Sequence, residues 1–191
     1  MIEFIINYCA PTLAHIKVAN LFSYPLTSLE TLKEELRAVN EQINPSGIYA
    51  TLLKIGKKRA LIYVYQQQAL EIELRKLNVK QFLTTIGYQS FNLKDCLNFL
   101  KKRLMISEAF PHEIGFFLGY PYDDVIGFIE HEGKDYAYKG YWKVYANVEE
   151  MKHLFKKYAD CKQYYLKQYE QGISLQCLCC LLYTSDAADD S

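Results

Sequence analysis

Two prolines and two glycines cut one stretch of this chain into a pair of short helical patterns, and that punctuation constrains the fold more than any other feature. The stretch is Phe110 to Glu132, FPHEIGFFLGYPYDDVIGFIEHE. Pro111 suits the first position of a helix, where a missing N–H costs nothing, and Glu113 suits the positive end of the helix dipole. Ile114, Phe117 and Leu118 then share one apolar face, and Gly119 ends the pattern. Pro121 opens a second helix with Asp123 and Asp124 in its first turn. Val125, Phe128 and Ile129 repeat the spacing, and Gly133 stops it. Gly115 and Gly127 fall inside these helices, where each costs about 1 kcal/mol relative to alanine. Close packing of a neighbour against bare backbone is the expected reason.

The rest of the chain is read around that pair. Residues 2–8 are apolar and fit a short helix or a strand equally well. Pro11 is expected to break or start an element, and residues 12–25 read as irregular or short extended structure. Thr27 or Ser28 caps a helix whose apolar residues Leu29, Leu32, Leu36, Val39 and Ile43 recur at helical spacing. IYATLLK (48–54) and ALIYVY (60–65), joined across Gly56-Lys57-Lys58, read as a hairpin. Its second strand is apolar on both faces and so belongs at the centre of a sheet. Three helices follow, at about 67–77, 78–86 and 93–105. The first is read on Leu70, Ile72, Leu74 and Leu77; Gly87 closes the second and Asn92 caps the third. DYAYKGYWKVY (135–145) reads as one or two strands bent at Gly140, and Asn147 opens a last helix over 148–170.

The expected fold class is therefore α+β. A small, mostly antiparallel sheet, made of the 48–65 hairpin and a strand at about 136–145, is packed with five to seven helices. Residues 1–175 read as a single globular domain and 176–191 as a disordered or artefactual tail. The last residues, LLYTSDAADDS (181–191), resemble translated sequencing-adapter read-through, which places an altered C-terminus somewhere after about Gln171.

Charge and cysteine usage exclude some functions. Lys plus Arg and Asp plus Glu both number 22, so no broad positive field exists to hold nucleic acid. No apolar run reaches the roughly 18 residues of a membrane span. MIEFIINYCA carries an early Glu3 and no basic segment, unlike a signal peptide, so the cytoplasm is the expected compartment. The six cysteines, at 9, 96, 161, 177, 179 and 180, lack the regular spacing of a disulfide framework. Seventeen tyrosines against one tryptophan supply large, partly polar contact surface.

Three kinds of chemistry can be written on these residues. Cys9 with His112 and Glu113 has the ingredients of an activated thiol: a nucleophile, a base and an acceptor. Adjacent helical residues point about 100° apart, so Asp123, Asp124 or a carbonyl is a better orienter of His112 than Glu113 is. A metal could draw on His112, Glu113, Glu130, His131, Glu132 and Cys161, but no two histidines share the spacing of one helix face. The Cys177–Cys180 cluster also lacks the paired spacing of a zinc site. A small molecule could use Lys17, Asn20 and Lys143 with the aromatic Tyr120, Tyr122, Tyr141 and Trp142. No glycine-rich phosphate loop is present.

The chain resembles a bacterial domain-of-unknown-function family, number three-seven-nine-three. The resemblance lies in CAPTLAHIKVANLFSY (9–24), ALIYVY (60–65), FPHEIGFFLGYPYDDVIGFIEHEGKDYAYKGYWKVY (110–145) and Cys161 ahead of a tyrosine-rich helix. It spans about 1–175. It implies an anaerobic bacterial setting and a link to iron or redox metabolism, with no activity or cofactor attached. It also implies glycine at position 15 and histidine at position 8, where this chain has His15 and Tyr8. The functional expectation is a small-ligand-binding or regulatory protein with its pocket between the 9–24 segment and the central helical pair. The alternative is a thiol-dependent enzyme using Cys9 with His112.

Overall fold

The computed structural model describes residues 1–106 and 110–181. Residues 182–191, most of the expected tail, lie outside the described residues. The chain separates into two compact units, one of residues 1–67 with 157 onward and one of residues 68–156. The architecture is α+β in both.

The first unit is a three-stranded antiparallel sheet with helices on one face. Helix α1 (Ile2–Leu13) leads into strand β1 (Ala19–Pro25), helix α2 (Leu29–Ile43), a 3-10 turn (Asn44–Ser46) and the hairpin β2 (Ile48–Ile55) and β3 (Arg59–Gln66). The strand order is β1-β3-β2, so the doubly apolar β3 is central, as its composition requires. The register pairs Ala19 with Tyr65 and Ile48 with Gln66, and it slips between Leu52 and Lys54. Side chains alternate across the pleat. Phe22, Ile48, Ala50, Ala60, Ile62 and Val64 therefore join the core formed with Ile5, Ile6, Leu32, Leu36 and Val39 of the two helices. On the other face Tyr65 stacks on Tyr63 at 5.2 Å and on Tyr49 at 5.8 Å.

Four details of the sequence reading change or narrow here. Pro11 neither starts nor breaks an element: it lies inside α1, two residues before the end, where its missing N–H removes one bond of the last turn. Its carbonyl instead accepts from Ile16 and Lys17 N–H, both at 3.0 Å, and turns the chain back. Of the two readings of residues 12–25, irregular or short extended, the extended one holds over β1, an edge strand that tolerates Pro25 at its end. The third strand of the sheet is this one, whereas residues 138–144 pair with themselves in the other unit. Folded structure also runs past position 176. Ser174 caps α9 (Leu175–Leu178), and Leu175, Leu178 and Cys179 are buried in the first core. His15, between α1 and β1, has φ 58, the left-handed region where glycine is favoured and the position where the family resemblance implies glycine.

The second unit is mostly helical. Helices α3 (Gln67–Arg75), α4 (Leu77–Thr85) and α5 (Leu93–Ile106) come first, then α6 (Ile114–Phe117), α7 (Tyr122–Glu130), a ribbon of β4 (Tyr138–Lys139) and β5 (Lys143–Val144), and the start of α8 (Val148–Glu170). Leu70 and Leu74 are buried, four residues apart on one face. Ile72 and Leu77 are exposed: Ile72 sits on the opposite side of that turn, and Leu77 only begins the next helix. Asn92 caps α5 by accepting from Asp95 N–H at 2.9 Å. Tyr88 packs edge-on against Phe99 at 4.5 Å, and Phe116 sits between Phe82 at 5.5 Å and Tyr122 at 5.7 Å.

Candidate ligand site

One concavity of the second unit is built from the stretch that dominates the sequence. Helices α6 and α7 form one side and the β4–β5 ribbon the other. It has a volume of about 300 Å³, at the small end of ligand pockets. The turn Gly119-Tyr120-Pro121 places Tyr120, whose N–H bonds Gly115 O at 2.9 Å. Tyr120 stacks on Trp142 with ring centroids 4.4 Å apart, and Phe155 meets the far edge of Trp142 at 4.5 Å. Burial pushes the Tyr120 phenol up to about 12, so it remains protonated at neutral pH.

Asp124 locks this wall. It is 2% exposed, and it draws together three donors from the ribbon and the segment after it. Oδ2 accepts from Trp142 Nε1 at 2.7 Å; Oδ1 accepts from Tyr145 N–H at 2.7 Å and Ala146 N–H at 3.2 Å. The two interior glycines are explained nearby. A Cβ on Gly127 would lie 2.6 Å from Tyr145 Cγ, and one on Gly115 would lie 2.7 Å from Val125 Cγ2. Side-chain packing against bare backbone is therefore the reason for both. At the rim, Lys143 Nζ donates to Gly133 O at 2.6 Å and stands over the rings of Phe128 and Tyr136 at 5.5 and 5.0 Å.

The residues singled out from the sequence divide between the two units. Tyr120, Trp142, Lys143 and His112 line one cavity. His112 is exposed at its edge with its ring 5.1 Å from that of Phe128. Glu113, expected beside a catalytic histidine, is buried and held by both Nε and Nη2 of Arg103. Lys17 and Asn20 belong to the first unit and are not among the residues lining this cavity. Asn20 Oδ1 accepts from Thr12 Oγ1 at 2.7 Å, and Lys17 Nζ donates to Ala19 O. Burial brings Lys17 down to about 7, opposed by the field of Cys9. Cys9 is wholly buried in the first core, and burial pushes its thiol well above the ordinary value. A nucleophilic thiol needs the opposite shift. His131 caps the end of α7 with its ring stacked on Tyr145 at 5.5 Å. Among the described residues no three His, Cys, Asp or Glu side chains gather closely enough to hold a metal ion.

Comparison with known families agrees with the motif resemblance. The model described as "Protein of unknown function (DUF3793)" matches residues 5–179. The chain belongs to that family. No curated protein matches it, and no solved structure does. The DUF3793 match ends at residue 179, within the buried end of the described chain. Among the described residues, no helix of this DUF3793 protein is long and apolar enough to cross a membrane.

Sequence reasoning missed Lys139 as a member of the site and gave Asp124 another role. Asp124 was read as a first-turn acid and a possible orienter of His112; its partners lie 18 to 22 residues further on, and nothing local announces them. Lys139 carried a usable signal. In K-G-Y-W-K a glycine-containing turn between two lysines four apart places them opposite one another on a hairpin.

Proposed function

We propose that this protein binds a small molecule, in a ligand-binding or regulatory role, and that the site is the cavity between the α6–α7 pair and the β4–β5 ribbon. The observation that carries the reading is the wall itself: an indole stacked on a phenol and fixed from behind by a buried carboxylate. A preorganised aromatic surface of this kind loses little conformational entropy on binding. The half-open cavity at its foot has the size and mixed apolar and cationic lining of a small-ligand pocket. Cys9 has no part in the proposal, because its buried, protonated thiol offers the thiol-enzyme alternative no support.

Trp142 is the only tryptophan in the chain, so its emission reports on this site alone. Native mass spectrometry of the full chain, purified without denaturation, is expected to reveal a bound small molecule. Removing that molecule and adding it back is expected to change Trp142 emission in a saturable way. A chain that purifies bare, and whose Trp142 emission ignores a broad panel of metabolites, overturns the proposal.

A further inference from the structure

The cavity also says what kind of ligand it takes. This inference rests on the small-molecule reading of the site and adds its chemistry. The register of the ribbon makes Lys139 and Lys143 direct cross-strand partners, and both line the cavity. Like charges directly opposite one another across a strand pair are destabilising. Among the described residues no ion pair is formed by Lys143. Lys143 Nζ meets the carbonyl dipole of Gly133. Asp124, the one carboxylate among the described residues of the lining, has both oxygens occupied by Trp142, Tyr145 and Ala146.

The remaining lining is aromatic. Tyr120 and Trp142, stacked on each other, line the cavity together with Phe128, and Tyr141, at the tip of the ribbon, is 44% exposed. A flat ring lying against this wall would bring a substituent to the rim where the two ammonium groups stand. We propose that the ligand is a planar aromatic anion, a one- or two-ring system bearing a carboxylate or a phosphate that bridges Lys139 and Lys143. The ring supplies apolar and stacking contact. The anion relieves the lysine–lysine repulsion and accepts charge-assisted hydrogen bonds from both.

Three probes of one shape separate the parts of this statement: 2-naphthoate, 2-naphthyl phosphate and the neutral 2-naphthamide, each titrated against the full chain with Trp142 emission as the signal. Either anion is expected to bind at least about tenfold more tightly than the amide, the yield of one or two charge-assisted hydrogen bonds. The tighter of the two identifies the head group. Lys139→Met, on an exposed side chain, is expected to remove most of that advantage, weakening both anions by a larger factor than the amide. Lys139→Arg is expected to keep it. Equal binding of anions and amide overturns the anion and leaves the ligand site standing. Failure of all three probes to reach Trp142 overturns the planar aromatic anion, while the ligand site itself stands or falls by the native mass spectrometry. An advantage that survives Lys139→Met together with Lys143→Met also overturns the assignment of the lysines.

Discussion

Replacing Asp124 by alanine tests whether one buried carboxylate holds the wall of the site. The carboxylate serves three donors. Removing it strands the indole N–H of Trp142, a residue only 8% exposed, and an unsatisfied buried donor costs about 1–3 kcal/mol. The amides of Tyr145 and Ala146 are half-buried, so water recovers part of their bonding and each adds about 1 kcal/mol or less. The expected loss is about 3–4 kcal/mol, a large share of the 5–15 kcal/mol typical of a domain. Asp124→Asn sharpens the test. Its carbonyl oxygen can still serve the two backbone donors, but its NH2 then faces the indole N–H, donor against donor. About 1–3 kcal/mol should still be lost. Urea unfolding followed by Trp142 emission reads both values from the right place. The native emission of Asp124→Ala should also shift to the red as water reaches the indole. Stability within about 0.5 kcal/mol of the parent, with unshifted emission, refutes the argument that Asp124 organises the site.

Other expectations follow from the same geometry. Helix propensity alone says that Gly127→Ala stabilises α7 by about 1 kcal/mol; the 2.6 Å approach of Tyr145 Cγ reverses the sign, and thermal unfolding should show a net loss of about 1–2 kcal/mol. Lys17 is lowered by burial to about 7 from 10.5, so between these values the unfolded chain binds the extra proton and stability rises with pH; below about 7 both states are protonated and the dependence vanishes. Cys9 acts in the opposite sense above its ordinary value of 9.0, because only the unfolded thiol ionises there. Denaturation across pH should therefore show stability climbing by about 1 kcal/mol per pH unit from 7 to 9 and flattening above, and Lys17→Met should abolish the climb. Brief alkylation of the native chain, read by peptide mass spectrometry, should label the exposed Cys177 and Cys180 and spare the buried Cys9, Cys96, Cys161 and Cys179. Rapid labelling of Cys9 would contradict its sealed environment.

Legibility followed the range of the interaction. Helix α2 was readable because its cap and its stripe lie within 15 residues: Ser28 accepts from Thr31 N–H at 3.0 Å, and Leu32, Leu36, Val39 and Ile43 are buried, although Leu29, expected to begin the stripe, is exposed in the first turn. The β2–β3 hairpin was readable for the same reason, and the composition of β3 correctly put it at the centre of its sheet. Strand β1 was readable only as one of two alternatives, irregular or short extended, since an edge strand takes its conformation from its partner. Its register with β3 joins residues up to 46 apart, such as Ala19 and Tyr65. The aromatic members of the site were flagged by type, because indole and phenol rings near lysine suit binding. Their convergence was not readable, and Lys17 and Asn20 were chosen on the same grounds.

By itself the sequence placed two short helices and the turn between them in Phe110 to Glu132, with Pro121 at the N-cap of α7 and Gly119 at φ 72, because proline and glycine act through their own φ and N–H, but α6 begins at Ile114, three residues past the expected start at Pro111. It also determined the α+β class and the family. Only tertiary structure decided what those elements are for. It took Cys9 into a core that holds its thiol protonated and tied Glu113 to Arg103. It used Asp124 to fix a tryptophan 18 residues away and set Lys139 against Lys143 at the mouth of an aromatic cavity. Burial, ion pairing and cross-strand register depend on which residues meet, and distance along the chain carries little of that information.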